Sequence, residues 1–254
     1  MELNTLFKNS NGEKLIGTLL LPNRKQAFPG IILCHGFAAH KDALFFPALA
    51  QALVYEGFAV LRFDCRACGA SEGTLHPTYK TMVDDLTAAI NFMRRDARIM
   101  EVTLIGHSMG ATSCIMAANA SIAALVLIAG VAFPEESAEK KRGVFVHKGK
   151  TFTLTLPSPS QKSFLFAESW FADAKECHPL KKIKELKLPL LLVHGNLDER
   201  ISVAQSKEFF LAAHNPKTLQ ILAGADHLFK GHEDALITAI VSFMKKQKKN
   251  KKNS

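Results

Sequence analysis

From residue 29 onward the chain alternates short, dense apolar runs with longer amphipathic ones. The short runs are "GIILCHG" at 30–36, "FAVLRFD" at 58–64, "EVTLIGH" at 101–107, "IAALVLIAG" at 122–130 and "LPLLLVHG" at 188–195. Each is nearly continuous in Ile, Leu and Val, which predicts strands covered on both faces, since a sheet with one wet face would alternate. "TLQILAG" at 218–224 predicts a last strand. Between the strands, "ALFFPALAQALVYEG" at 43–57, "MVDDLTAAINFMRRDA" at 82–97, "MGATSCIMAANA" at 109–120 and "VAQSKEFFLAAH" at 203–214 predict crossover helices, and a final helix is expected over 233–246. Near the start, "ELNTLFKN" and "KLIGTLLLP" flank the turn signal "SNG", which predicts an antiparallel hairpin edging the sheet. The whole reads as an α/β fold, a mostly parallel central sheet with helices on both faces.

Residues 131–180 break the alternation, because they hold more chain than one crossover requires. Within them "GVFVHKGKTFTLTL" predicts a two-stranded ribbon turning at Lys148 and Gly149, and "SFLFAESWFADA" predicts a helix. An insertion with its own secondary structure at one end of such a sheet is a candidate cap over a site. Its aromatic residues, Phe133, Phe145, Phe152, Phe164, Phe166, Trp170 and Phe171, serve chiefly to pack it onto the body, and some are candidates to line an apolar pocket.

Composition narrows the class. A chain of 254 residues with 48% hydrophobic and 22% charged positions is expected to form one globular domain over 1–254. The amino-terminal "MELNTLFKNSNGEKL" has no basic start leading into an apolar run, and the longest apolar stretch, 122–133, is too short to span a bilayer, so a cytoplasmic protein is expected. Five cysteines, an odd number without framework spacing, are expected to be reduced. The net charge of +9 is concentrated at the end: "KKQKKNKKNS", 245–254, holds six lysines and is expected to be a disordered tail. Weak contact with an anionic surface is the one partner role it suggests. No aromatic residues interleave with these lysines, and no nucleic-acid partner is expected.

The chemistry centres on "LIGHSMGAT" at 104–112, where Ser108 falls on the single turn between a strand and a helix. That is the setting of a nucleophile elbow, in which small neighbours, here Gly106 and Gly110, let strand and helix pass closely beside a strained serine. Met109 opens the helix, so its backbone N–H has no intrahelical acceptor and can donate to an oxyanion. A serine hydroxyl is a poor nucleophile and needs a histidine base, a carboxylate to orient the imidazole, and a second oxyanion donor. Candidates follow strand ends: Phe37 N–H after "CHG", Asp198 in "VHGNLDERI" and His227 in "LAGADHLF". Rival residues fit less well. His35 and His107 adjoin the glycine turns and are expected to pack, His194 to cap the sheet edge, and His232 to start a helix. Asp226 adjoins the base in sequence, Glu199 points past its turn, and Asp64 is expected to bond its own loop. Cys65 and Cys68 form a C-x-x-C with no second pair, which argues against a metal or dithiol centre.

The order Ser108, Asp198, His227, with "HGF", "FDCRACGASEG", "GHSMG", "VHGNLDERI" and "GADHLF" in sequence, resembles the α/β-hydrolase superfamily. More narrowly it resembles the small bacterial cinnamoyl and feruloyl esterases, with kinship to monoacylglycerol lipases and serine aminopeptidase-like hydrolases. The chain departs from the family pattern at Ala67, where a glycine is usual, and at Cys68, where a histidine is common. The resemblance implies an α/β-hydrolase fold with a small cap. It also implies a serine hydrolase acting on short or medium acyl or aryl esters through an acyl-enzyme, with no metal and no organic cofactor. Amide or thioester hydrolysis, and a binding protein on the same fold, are the alternatives.

Overall fold

The computed structural model describes residues 1–23, 27–142, 146–148, 151–155 and 163–250. A hairpin of β1 (Glu2–Lys8) and β2 (Lys14–Leu20) leads into β3 (Phe28–Cys34), α1 (Phe46–Tyr55), β4 (Ala59–Phe63), α2 (Tyr79–Arg95), β5 (Ile99–His107), α3 (Met109–Ala117) and β6 (Ile122–Ile128). After an inserted segment the alternation resumes with β10 (Leu190–Gly195), α7 (Val203–Ala212), β11 (Lys217–Leu222) and α8 (Glu233–Asn250). Eight strands form one sheet in the order β1-β2-β4-β3-β5-β6-β10-β11. The first two pairings are antiparallel, and every pairing from β4 to β11 is parallel.

Period-two geometry explains why these strands are apolar throughout. Ile32, Leu104, Leu127 and Leu192 face one core with α2 and α3, through Leu86, Met93 and Ile115. Their neighbours Ile31, Leu33, Ile105, Val126 and Val193 face the other core with α1 and α8, through Leu49, Leu53, Leu236 and Ile240. The outermost strands of this sheet, β1 and β11, instead alternate exposed with half-buried or buried positions along most of their length, as edges with one covered face do.

The inserted segment carries α4 (Pro134–Arg142), β7 (Val146–Lys148), β8 (Thr151–Thr155), β9 (Ser163–Ala167), α5 (Ser169–Glu176) and α6 (Pro179–Ile183). Two elements differ from what the sequence predicts. The stretch "SFLFAESWFADA" is not one helix: its first half is β9, which pairs with β8 to make a three-stranded antiparallel sheet, and the helix begins only at Ser169. A short apolar run suits strand or helix equally, and a neighbouring strand with unpaired carbonyls decides it. The lysine tail expected to be disordered from 245 is helical through Asn250. The apolar side of α8 is seated on the core through Leu236, Ile240 and Met244, and this carries the helix into the lysines. Lys245 Nζ reaches Glu56 Oε1 at 2.9 Å, and Lys248 Nζ donates to the carbonyls of Glu56 and Gly57 at 2.9 and 3.3 Å. Residues 251–254, residues 149–150, on which the expected turn falls, and the side chains of Phe145, Phe152 and Phe164 lie outside what is described. No described helix is long and apolar enough to cross a membrane.

Candidate active site

Ser108 sits between β5 and α3 with φ 55° and ψ −122°, a left-handed backbone that residues with a Cβ avoid. The two glycines beside it are required by close approach. A Cβ on Gly106 would lie 2.6 Å from Ala111 Cα, and one on Gly110 would overlap the carbonyl oxygens of Cys34 and His35. Strand β3, strand β5 and helix α3 therefore meet backbone to backbone under the serine. The elbow is held further by Ser108 N–H donating to Ile128 O at 2.8 Å.

Ser108 Oγ lies 3.1 Å from His227 Nε2, and His227 Nδ1 lies 2.7 Å from Asp198 Oδ2. With Nδ1–H donating to the carboxylate, Nε2 is left as an acceptor facing the serine hydroxyl. The Asp198 side chain is fully buried and its oxygens are fully used. Oδ1 accepts the amide N–H groups of Arg200 and Ile201 at 2.9 and 2.8 Å, while Oδ2 accepts from His227 and from His194 Nε2, the latter at 3.1 Å. Burial works against ionisation of Asp198. The donated hydrogen bonds from His194 and His227, the nearby His227 charge and the Ile201 amide outweigh it, holding the carboxyl well below the usual carboxylate range.

The sequence predicts that His194 caps the sheet edge; instead it is 0% exposed and braces Asp198. The reason is topological, because β11 pairs outside β10 and so β10 is an interior strand. Its Nε2–H faces both Asp198 Oδ2 and Ile201 O, the second at 2.9 Å, and its Nδ1 accepts from Ser206 Oγ at 2.7 Å. The spacing of four residues before Asp198 was the one sequence signal for this role. His107 donates from Nε2 to His227 O at 2.9 Å and so tethers the loop of the imidazole that faces Ser108. Burial, and secondarily the proximity of His227, push its pKa down to about 3, so His107 is neutral.

On the other side of the serine is the loop after β3. A Cβ on Gly36 would lie 3.1 Å from Ser108 Cβ, which sets the following residue, Phe37, beside the elbow. Met109 is the first residue of α3, as expected, with its amide at the positive end of the helix. The Phe37 ring packs on Phe166 at 5.2 Å and on Trp170 at 5.6 Å, both from the inserted segment. Phe166, Trp170 and Phe171 are buried and part of the main core.

The rival groups are placed elsewhere. Asp226 Oδ1 accepts the amides of Leu228 and Lys230, fixing its own turn, and His232 Nδ1 lies 3.3 Å from Lys230 O. Glu199 is exposed. Asp64 accepts from Lys41 N–H and Ala70 N–H, at 2.7 and 3.0 Å, knitting two loops. His35 accepts Cys65 N–H at Nε2 and donates from Nδ1 to Gly36 O. Ala67, the residue that departs from the family pattern, takes φ 54° in the glycine's place, a cost of about 1–2 kcal/mol that this chain bears. Arg66 beside it is locked by Asp85, with Nη2 2.6 Å from Oδ1. All five cysteines are buried and none is in a disulfide.

Comparison with known proteins agrees with this architecture. A family profile described as serine aminopeptidase, S33, matches residues 26–182. Esterase EstD of Thermotoga maritima is 24% identical over 255 residues, covering 91% of this chain and 61% of that protein. An uncharacterized 31.7 kDa protein of the traX-finO intergenic region of Escherichia coli is 25% identical over 208 residues, covering 75% of this chain and 72% of that protein. Among solved structures, Est1E of Butyrivibrio proteoclasticus with ferulic acid bound superposes with a TM-score of 0.84 at 22% identity, covering 96% of this chain and 99% of that one. The esterase domain of a Rhodothermus marinus protein does so with a TM-score of 0.76 at 24% identity, covering 98% of each. The chain belongs to the S33 serine aminopeptidase family of α/β hydrolases.

Proposed function

We propose that this protein hydrolyses carboxylic esters, with Ser108 as nucleophile, His227 as general base and acid, and Asp198 as the group that orients the imidazole. The observation that carries the reading is the 3.1 Å approach of His227 Nε2 to Ser108 Oγ, with Nδ1 occupied by a carboxylate held ionised. Ser108 Oγ attacks the ester carbonyl carbon as its proton passes to His227 Nε2. The carbonyl oxygen becomes an oxyanion held by the N–H groups of Phe37 and Met109. Collapse breaks the bond to the alkoxide, which takes the proton from His227, and leaves an acyl-serine. Water, deprotonated by His227, attacks the acyl carbon and releases the acid and the free hydroxyl.

Support for an ester over an amide comes from the relatedness to Esterase EstD, while the aromatic wall of Phe37, Phe166 and Trp170 suits an apolar acyl or aryl group. The inserted segment, 131–180, acts as a cap that shapes the site. The test is a panel of p-nitrophenyl and aryl esters, thioesters and aminoacyl amides with wild type and Ser108→Ala. Ester turnover that the variant lowers by about 10⁴ or more supports the reading, with fluorophosphonate labelling of wild type only. A folded wild type that neither labels nor turns over any ester overturns it, and preferential cleavage of amides or thioesters replaces the substrate class.

A further inference from the structure

The loop that carries Phe37 is pinned at two successive peptide units, each by a different histidine. The unit joining Gly36 to Phe37 is held at its carbonyl: Cys65 N–H occupies His35 Nε2 at 3.0 Å, which puts the ring proton on Nδ1, and Nδ1–H donates to Gly36 O at 2.9 Å. The unit joining Phe37 to Ala38 is held at its nitrogen, where Ala38 N–H donates to His76 Nε2 at 3.0 Å. Ala38 has φ 54°, a conformation that a residue with a Cβ keeps only where its surroundings enforce it.

His76 is itself suspended from the inserted segment. It is 4% exposed, and its own N–H donates to Leu165 O of β9 at 2.7 Å. Its Nδ1 lies 3.2 Å from Pro77 O, which fits the tautomer that leaves Nε2 free to accept. Its ring packs on Phe37 at 4.9 Å and on Phe166 at 4.7 Å. One residue thus joins the inserted sheet to the loop beside the serine.

We infer that His76 is a positioning residue for the ester hydrolysis proposed above, on which this inference rests. By accepting from Ala38 N–H while anchored to β9, it fixes the peptide unit that follows Phe37 and so, with His35 on the preceding unit, keeps the Phe37 N–H aimed at the developing oxyanion. It need not touch the ester. Removing an oxyanion donor outright lowers kcat by about 10²–10³, and tilting one of two donors costs less, about 10- to 100-fold. Because the oxyanion exists only in the transition state, the loss falls on kcat and not on KM.

The experiment compares wild type, His76→Phe and His76→Gln on p-nitrophenyl butyrate, with a boronic acid as transition-state analogue. Phenylalanine keeps a ring against Phe37 and Phe166 but has no acceptor, whereas glutamine Oε1 reaches about as far as Nε2. The expected result is a 10- to 100-fold fall in kcat for His76→Phe with KM within about threefold, boronate affinity falling in step, and recovery to within about fivefold in His76→Gln. His76→Asn, too short to reach the amide, carries the same expectation as His76→Phe should the latter not fold. Wild-type kcat in His76→Phe overturns the inference, as does a loss that His76→Gln shares in full. Absence of turnover in wild type overturns the ester hydrolysis itself.

Discussion

Asp198 Oδ2 is shared by two imidazoles, His227 Nδ1 at 2.7 Å and His194 Nε2 at 3.1 Å. His194 is therefore a brace for the carboxylate that orients His227. Replacing it with leucine removes a donor from Asp198 and strands Ser206 Oγ and Ile201 O in a buried site. The expected cost is about 2–6 kcal/mol in urea unfolding, since each of the two stranded polar groups costs about 1–3 kcal/mol. On the proposed mechanism kcat falls about tenfold as well, because the carboxylate loses one of the contacts that fix it.

Stability is expected to decline below pH 6.5, and His107 is one cause. Its folded pKa of about 3 lies below the ordinary histidine value of 6.5, so between these values the unfolded chain binds a proton that the native chain refuses. More protons on the unfolded state means stability falls as pH falls, by up to about 1.4 kcal/mol per unit. Asp198, also depressed, adds to the loss only below about pH 4, where its unfolded form takes up a proton. Chemical unfolding of wild type at pH 7.0 and 5.0 should show about 2 kcal/mol more loss than His107→Phe shows.

Gly110→Ala is expected to break the elbow. The added methyl overlaps two backbone carbonyls, Cys34 O and His35 O, which belong to the strand end that leads into the Phe37 loop. Backbone cannot yield as a side chain can, so a cost of about 3 kcal/mol or more, or failure to fold, should be seen by circular dichroism and thermal melting. Wild-type melting in this variant would contradict the close approach of β3 and α3 at Gly110.

Lys248→Met tests the helical lysine segment. Lys248 Nζ donates to Glu56 O and Gly57 O at the carboxyl end of α1 and lies 5.0 Å from the Phe58 ring centroid. Loss of the charge should lower stability by about 1 kcal/mol, with the effect shrinking at high salt. Substitution of Lys246, for which no such anchor is described, serves as the reference.

Much of this was legible along the chain because it is local or periodic. The elbow is legible because Gly106, Ser108 and Gly110 are within five residues and their spacing follows from strand-to-helix geometry. Parallel strands declare themselves through continuous burial, as in β3, β4 and β10. The inserted segment was legible only in part: nothing within "SFLFA" distinguishes strand from helix, and β8 decides it by supplying hydrogen-bond partners. The role of His194 was hinted at only by its four-residue spacing from Asp198, because nothing local says that the ring turns toward the carboxylate, and the role of His76 was not legible because its partners are far away in sequence. His76 meets Ala38 across 38 residues and Leu165 across the inserted sheet.

The sequence by itself determined the layered α/β architecture, the elbow and the family, because hydrophobic period, glycine sterics and motif order are properties of neighbouring residues. The motif order also singled out His227 among ten histidines as the base for Ser108, whereas only the tertiary structure decided which one braces Asp198 and which one holds the loop at Ala38. Imidazoles are chemically identical along a chain, and what separates them is the acceptor or donor that folding sets within about 3 Å of each ring nitrogen.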